Sequence, residues 1–123
     1  MSDQHCTEVM NKVALHGNIR SGKHEVVSRL LSEWLKTEKL DVKIRLGGSE
    51  MTYKDTKLYV YCHSAATEPL YLLEGHTSGT LADAKALLQR LLELCKKQKV
   101  VGRFEYVQVS EDGDELSDQY SVE

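Results

Sequence analysis

The chain has 123 residues, 41% hydrophobic and 28% charged, with one proline and a net charge of −3. This is the composition of one globular domain able to bury its own core, and it excludes collagen-like, disordered and disulfide-scaffold classes. No apolar run reaches the roughly eighteen residues that cross a bilayer, and Met1-Ser2-Asp3-Gln4-His5 has neither the basic start nor the apolar stretch of a signal peptide, so a cytoplasmic location is expected.

Residues 1–7 are expected to be loose, and residues 9–15 read as a strand with Val9, Val13 and Leu15 on one face, ending at His16. Gly17-Asn18-Ile19-Arg20-Ser21-Gly22-Lys23 then has the G-x-x-x-x-G-K spacing of a phosphate-binding loop set between a strand and a helix. Glycines let the backbone turn N–H groups onto a phosphate, the helix N-terminus adds positive potential, and Lys23 would reach the outer oxygens. The run GNIRSGK resembles the loop of deoxynucleoside kinases. His24, however, stands where such enzymes place the Ser or Thr that ligates magnesium, and imidazole is not a hard oxygen ligand for that ion. Magnesium chemistry is therefore not expected. The segment reads either as an ordinary strand-to-helix turn or as an anion site built from Gly17, Ser21, Gly22 and Lys23.

Residues 25–36 carry Val26, Val27, Leu30, Leu31, Trp34 and Leu35 at helical spacing, a stripe that belongs to the core. Residues 41–46 alternate Val42, Ile44 and Leu46 with Lys43 and Arg45, predicting a half-buried strand that breaks at Gly47-Gly48 into a polar turn. Residues 57–63 alternate again: Leu58, Val60 and Cys62 point inward, and Tyr59, Tyr61 and His63 share the outer face. A fourth strand follows Pro69 at 70–73. Gly75-His76-Thr77-Ser78-Gly79 reads as a loop. Thr80 with Asp83 predicts a capping box for a helix over 81–97 that buries Leu81, Ala84, Leu88, Leu91, Leu92 and Cys95. Residues 104–109 form a fifth strand, and Asp112-Gly113 turns the chain toward a short sixth at 119–122.

The order β-α-β-β-β-α-β-β predicts an α+β two-layer sandwich over 1–123, a single domain with flexible ends at 1–7 and 111–123. It has one mixed, mainly antiparallel sheet of five to six strands with two helices on one face. The opposite face then shows Lys43, Arg45, Lys57, Tyr59, Tyr61 and His63. Tyrosines beside basic residues suit base stacking or a dimer interface, and tyrosine is in any case a favoured strand residue. If the first and fourth strands run parallel, the 17–23 and 75–80 loops share an edge. His16, Lys23, His76, Ser21, Thr77 and Ser78 then surround one anion-binding concavity.

Cys6, Cys62 and Cys95 are odd in number and far apart, so free thiols are expected. His5-Cys6 and Cys62-His63 are adjacent pairs whose side chains diverge on a strand, and C-x-x-C and H-x-x-x-H spacings are missing from the sequence. No metal and no cofactor are expected. After Arg103 the chain carries Glu105, Glu111, Asp112, Asp114, Glu115, Asp118 and Glu123 with no Lys or Arg, leaving the preceding body net basic. An acidic end on a mildly basic body argues against a nucleic-acid footprint and fits solubility, a basic partner or a dimer contact.

Three passages, His16-Gly17-Asn18-Ile19, Leu46-Gly47-Gly48 and Lys57-Leu58-Tyr59-Val60-Tyr61-Cys62-His63-Ser64, resemble in order the landmarks of the small janus-type phosphohistidine phosphatases. The resemblance implies that His16 is the nucleophile or base and that the Ser64-Ala65-Ala66 backbone helps to hold the phosphate. The chain departs from that family in a longer first helix, in Asn18 where the family has Asp, and in one fewer strand before His16. The function expected from base rates is protein binding, as a subunit, inhibitor or self-associating module. Partners would be another protein or a second copy in a homodimer, at an interface of Tyr59, Tyr61, His63, Lys43 and Arg45, with neither nucleic acid nor membrane. The alternative is a phosphate-handling enzyme using His16 and His76, with the anion on Gly17, Ser21, Gly22, Lys23, Thr77 and Ser78.

Overall fold

Val13, Leu15 and Ile19 are almost completely buried, and their alternation belongs to a nine-residue strand, β1 (Lys12–Arg20), that runs on past His16. In the computed structural model, which describes residues 12–123, there follow α1 (His24–Leu35), β2 (Asp41–Arg45), β3 (Gly48–Lys54), β4 (Leu58–Ser64) and β5 (Tyr71–Ser78). The chain ends with α2 (Leu81–Lys97), β6 (Val101–Val109) and β7 (Tyr120–Ser121). The expectations for residues 1–7, for Val9 and for the His5-Cys6 pair lie outside the described residues.

The strands form one sheet in the order β2-β3-β4-β5-β1-β6-β7, with every adjacent pair antiparallel. The α+β sandwich is thus present with seven strands instead of five or six, and its sheet is wholly antiparallel instead of mixed. The added strand is β3, GSEMTYK, whose inward positions are Ser49, Met51 and Tyr53. A serine in the first inward place conceals it from a hydrophobic count. The β2–β3 hairpin turns on Leu46-Gly47, with Arg45 opposite Gly48. Gly48 has φ 146°, and a Cβ there would strike the Ser64 hydroxyl, so this corner accepts only glycine.

Both helices pack on one face. α1 buries Val27, Leu30, Leu31 and Trp34. α2 starts at the expected capping box, Thr80 and Asp83 exchanging hydrogen bonds of 3.1 Å, and buries Ala84, Leu88, Leu91, Leu92 and Cys95. The Trp34 indole N–H donates to the Leu87 carbonyl at 2.8 Å, and the Arg90 guanidinium donates to the Trp34 carbonyl, tying the helices side by side. Beneath them lie Leu15, Val60, Leu73 and Phe104 of β1, β4, β5 and β6.

Two helices at about 10 Å each cannot span a sheet of seven strands about 4.8 Å apart. β2 is the strand left out. Val42, Ile44 and Leu46 are 36%, 65% and 109% exposed, which corrects the expectation of a half-buried strand there. The chain after β6 folds back along it: Val109 pairs with Glu115, β7 pairs with β6 within the short strand expected at 119–122, and Val122 enters the core.

Candidate functional site

The phosphate-loop reading of 17–23 does not survive the fold, because Gly17, Asn18, Ile19 and Arg20 are strand residues. Gly17 lies between Leu73 and Phe104, and a Cβ on it would strike the Arg103 carbonyl and come within 2.7 Å of Phe104 Cδ1. It is glycine for close packing. Only Ser21-Gly22-Lys23 joins β1 to α1; the Ser21 hydroxyl accepts the Lys23 N–H at 3.2 Å, and Gly22 rests on Pro69. Gly75, His76, Thr77 and Ser78 likewise belong to β5, with Thr77 buried on the helix side.

Lys12 stands opposite Ser78 and Ile19 opposite Tyr71, so the entries to α1 and α2 lie at opposite ends of the sheet, about 25 Å apart by strand rise. Ser21, Gly22 and Lys23 therefore do not meet Thr77 and Ser78. The shared concavity required parallel strands, and antiparallel pairing of β1 with β5 removes it.

The open face brings together residues from six strands. The register sets Lys43, Glu50, His63, Leu72, Asn18 and Arg103 in one cross-strand row. The next row reads Thr52, Tyr61, Glu74, His16 and Glu105, and the next Lys54, Tyr59, His76 and Ala14. Arg45 joins this face at the β2 end through a 3.1 Å contact to Glu50. His16, expected at the end of the first strand, and His76, expected in a loop, thus join Tyr59, Tyr61 and His63 on one surface. Lys57 sits instead in the β3–β4 turn, its N–H donating to Asp55 Oδ1 at 2.8 Å.

The rings are ordered by one another. Tyr61 stacks on His63 with centroids 5.1 Å apart, and Tyr59 lies 5.5 Å from His76. Tyr61 O–H donates to Glu50 Oε2 at 3.0 Å. The Arg45 and Tyr61 hydrogen bonds hold the Glu50 carboxyl below its usual range, and the hydrogen bond to Glu50 pushes the Tyr61 phenol up. Partial burial, with Lys12 and Lys54 nearby, holds His76 below its ordinary value. His16 Nδ1 is 3.8 Å from Glu105 Oε1, too long for a hydrogen bond.

A shallow cavity of about 240 Å³ opens at the end of this face, lined by Arg45, Gly47, Gly48, Glu50, His63 and Ser64 among others. Ser49 N–H donates to the Ser64 hydroxyl at 3.0 Å, and the Ser49 hydroxyl bonds that of Tyr71. Two of the three phosphatase-like passages thus meet here. His16 does not join them: Ser64 pairs with Tyr71 and Tyr71 with Ile19, which leaves His16 two strands across and three residues along, roughly 14 Å away.

No protein-family model matches the chain, and no curated protein matches it. Cys62 and Cys95 are free and buried, their thiols pushed by desolvation up to about 12 and about 11, so neither is a ready nucleophile. Among the described residues, no group of three His, Cys, Asp or Glu side chains is placed to hold a metal ion, and no helix is long and apolar enough to cross a membrane.

Sequence reasoning missed Glu50 and Glu74 as members of the face. Glu50 lies on the strand that was hidden by Ser49. Glu74 lies where β5 was expected to have ended, and a longer alternation from Tyr71 through Thr77 is the signal that marks it.

Proposed function

We propose that the chain is a protein-binding module, acting as a subunit, inhibitor or self-associating unit, whose working surface is the open face of its sheet. The observation that supports this reading is the patch of Tyr59, Tyr61, His63, His76 and His16 on a face that neither helix covers. Tyrosine and histidine rings held by their neighbours give large contact area at low entropic cost, with polar edges for orientation. Glu74 and Glu105 flank His16 in the middle of the face. The aromatics therefore lack the uniform basic surround that a phosphate backbone requires, and a protein surface fits better than a nucleic acid. Affinity capture from the cells of origin tests this. A partner retained by the wild-type chain and by Lys85→Ala on α2, but lost by folded Tyr59→Ala/Tyr61→Ala, is expected; equal retention by all three would sink the reading.

The cavity beside Gly47 and Gly48 favours a second reading, a phosphate-handling enzyme resembling the janus-type phosphatases. Arg45 and His63 supply a cation and a donor there, while the Glu50 carboxylate, paired with Arg45, opposes an anion. A phosphate group held there would be served by His63 and not by distant His16. Phosphate titration should shift the amides of Gly47, Gly48 and His63 together, and Arg45→Ala should abolish the effect. Scattered shifts at exposed lysines would eliminate this second reading.

A further inference from the structure

The edge of the sheet at β2, unpaired among the described residues, is self-complementary, and we propose that it pairs antiparallel with β2 of a second copy to give one continuous fourteen-stranded sheet. This rests on the reading of the chain as an interaction module, but it uses a surface separate from Tyr59 and Tyr61, so each can fail alone.

The backbone direction follows from one hydrogen bond. Ser49 sends its N–H to the Ser64 hydroxyl on the β4 side, so Ser49 and its opposite residue Ile44 do not bond each other. Antiparallel ladders alternate, so the N–H and C=O groups of Val42 and Ile44 point off the sheet into solvent. Such an edge is a template for another strand. Every residue of β2 is exposed, Ile44 by 65%.

The side chains choose the occupant and the register. With the two-fold axis at Lys43, Val42 faces Ile44 of the second copy, twice by symmetry, in one apolar strip on the helix side. On the open face Asp41 meets Arg45 of the second copy, twice by symmetry. The cost is one Lys43–Lys43 contact, and Glu50, directly opposite Lys43 in each copy, offsets it. Moving the axis to Val42 leaves Ile44 and Arg45 without partners in β2 of the second copy. Moving it to Ile44 sets Lys43 against Arg45. Only the Lys43 register pairs every residue of β2 with one of the second copy.

Sedimentation across a concentration series tests the proposal. The wild-type chain should dimerise, and Ile44→Lys should be monomeric with an unchanged circular dichroism spectrum, since Ile44 is exposed. Asp41→Arg and Arg45→Asp should each weaken the dimer about tenfold, and the double swap should restore it. In a Cys6→Ser background, Lys43→Cys should form a disulfide-linked dimer, because a non-hydrogen-bonded pair places the Cα atoms about 4.5 Å apart. A wild-type chain that stays monomeric overturns the proposal. So does a dimer indifferent to Ile44→Lys, or one lost only in Tyr59→Ala/Tyr61→Ala, which would put the second copy on the open face.

Discussion

Asn18 and His76 show what the open face costs residue by residue. The side-chain oxygen of Asn18 is buried and accepts no hydrogen bond among the described residues. An orphaned acceptor of this kind costs on the order of 1–3 kcal/mol, and a β-branched residue suits the strand, so Asn18→Val should raise stability by about 1 kcal/mol in a denaturant titration. A loss of stability would mean that Asn18 has a donor from outside residues 12–123. His76 acts through protonation. Its folded-state value lies below the ordinary 6.5, through partial burial and then Lys12 and Lys54, with Tyr59 against its ring. The unfolded chain therefore binds the proton first, and stability falls as pH drops from about 6.5 toward the lower folded value. The lowered carboxyls of Glu50, Asp55 and Asp83 act in a separate window, giving stability that is lost only below about pH 4.5. His76→Gln should flatten the melting-temperature slope between about pH 7 and pH 5 and leave the acid limb alone. An unchanged slope would show that His76 is not desolvated.

At the scale of elements, the helices were legible and the strand ends were not. The α2 start could be read from Thr80 and Asp83 because a capping box is a local, chemically specific pattern. Thr80→Ala should cost about 1 kcal/mol, measured as a shift in the urea midpoint at constant slope. The helix stripes were legible because one face alone is buried. Trp34→Ala should cost about 3–5 kcal/mol through lost burial and a cavity, while Trp34→Phe, losing mainly the bond to Leu87, should cost about 1–2 kcal/mol. Equal effects would mean that the indole N–H, not ring volume, carries Trp34's contribution. The strands failed where glycine and serine stood inside them. Gly17, Gly75 and Ser49 occupy inward positions at which a neighbouring main chain, ring or hydroxyl leaves no room for an apolar side chain. Such residues look like loop residues when only composition and spacing are available. The candidate face was legible in part for the same reason: Tyr59, Tyr61 and His63 sit on a strand that alternates cleanly, whereas the sequence pattern stops the first strand at His16 and puts His76 in a loop.

Over the described residues the molecule is a sheet with one face covered by helices and the β2 edge unpaired, and its stability should grade across it. β1 has a strand on each side and α2 above it; β2 has a single neighbour and no helix. Neither property could be read from sequence, because strand order is set by long-range pairing and the width of helical cover by packing. Amide exchange should therefore be slowest at Leu15 and Ile19, inward residues of β1 that open only with global unfolding. It should be fastest within the sheet at Val42 and Ile44, whose amides point away from β3, with Lys43 between them slower because its N–H is bonded to the sheet. This alternation belongs to the isolated chain. Raising the protein concentration should leave the β1 rates unchanged and slow Val42 and Ile44 together, since pairing of two copies uses those two amides at once. Residue-resolved exchange at two concentrations decides the matter. Val42 and Ile44 already protected at a dilution where sedimentation shows a single chain would mean that the β2 edge is covered from within, and the edge would no longer be available to a second copy.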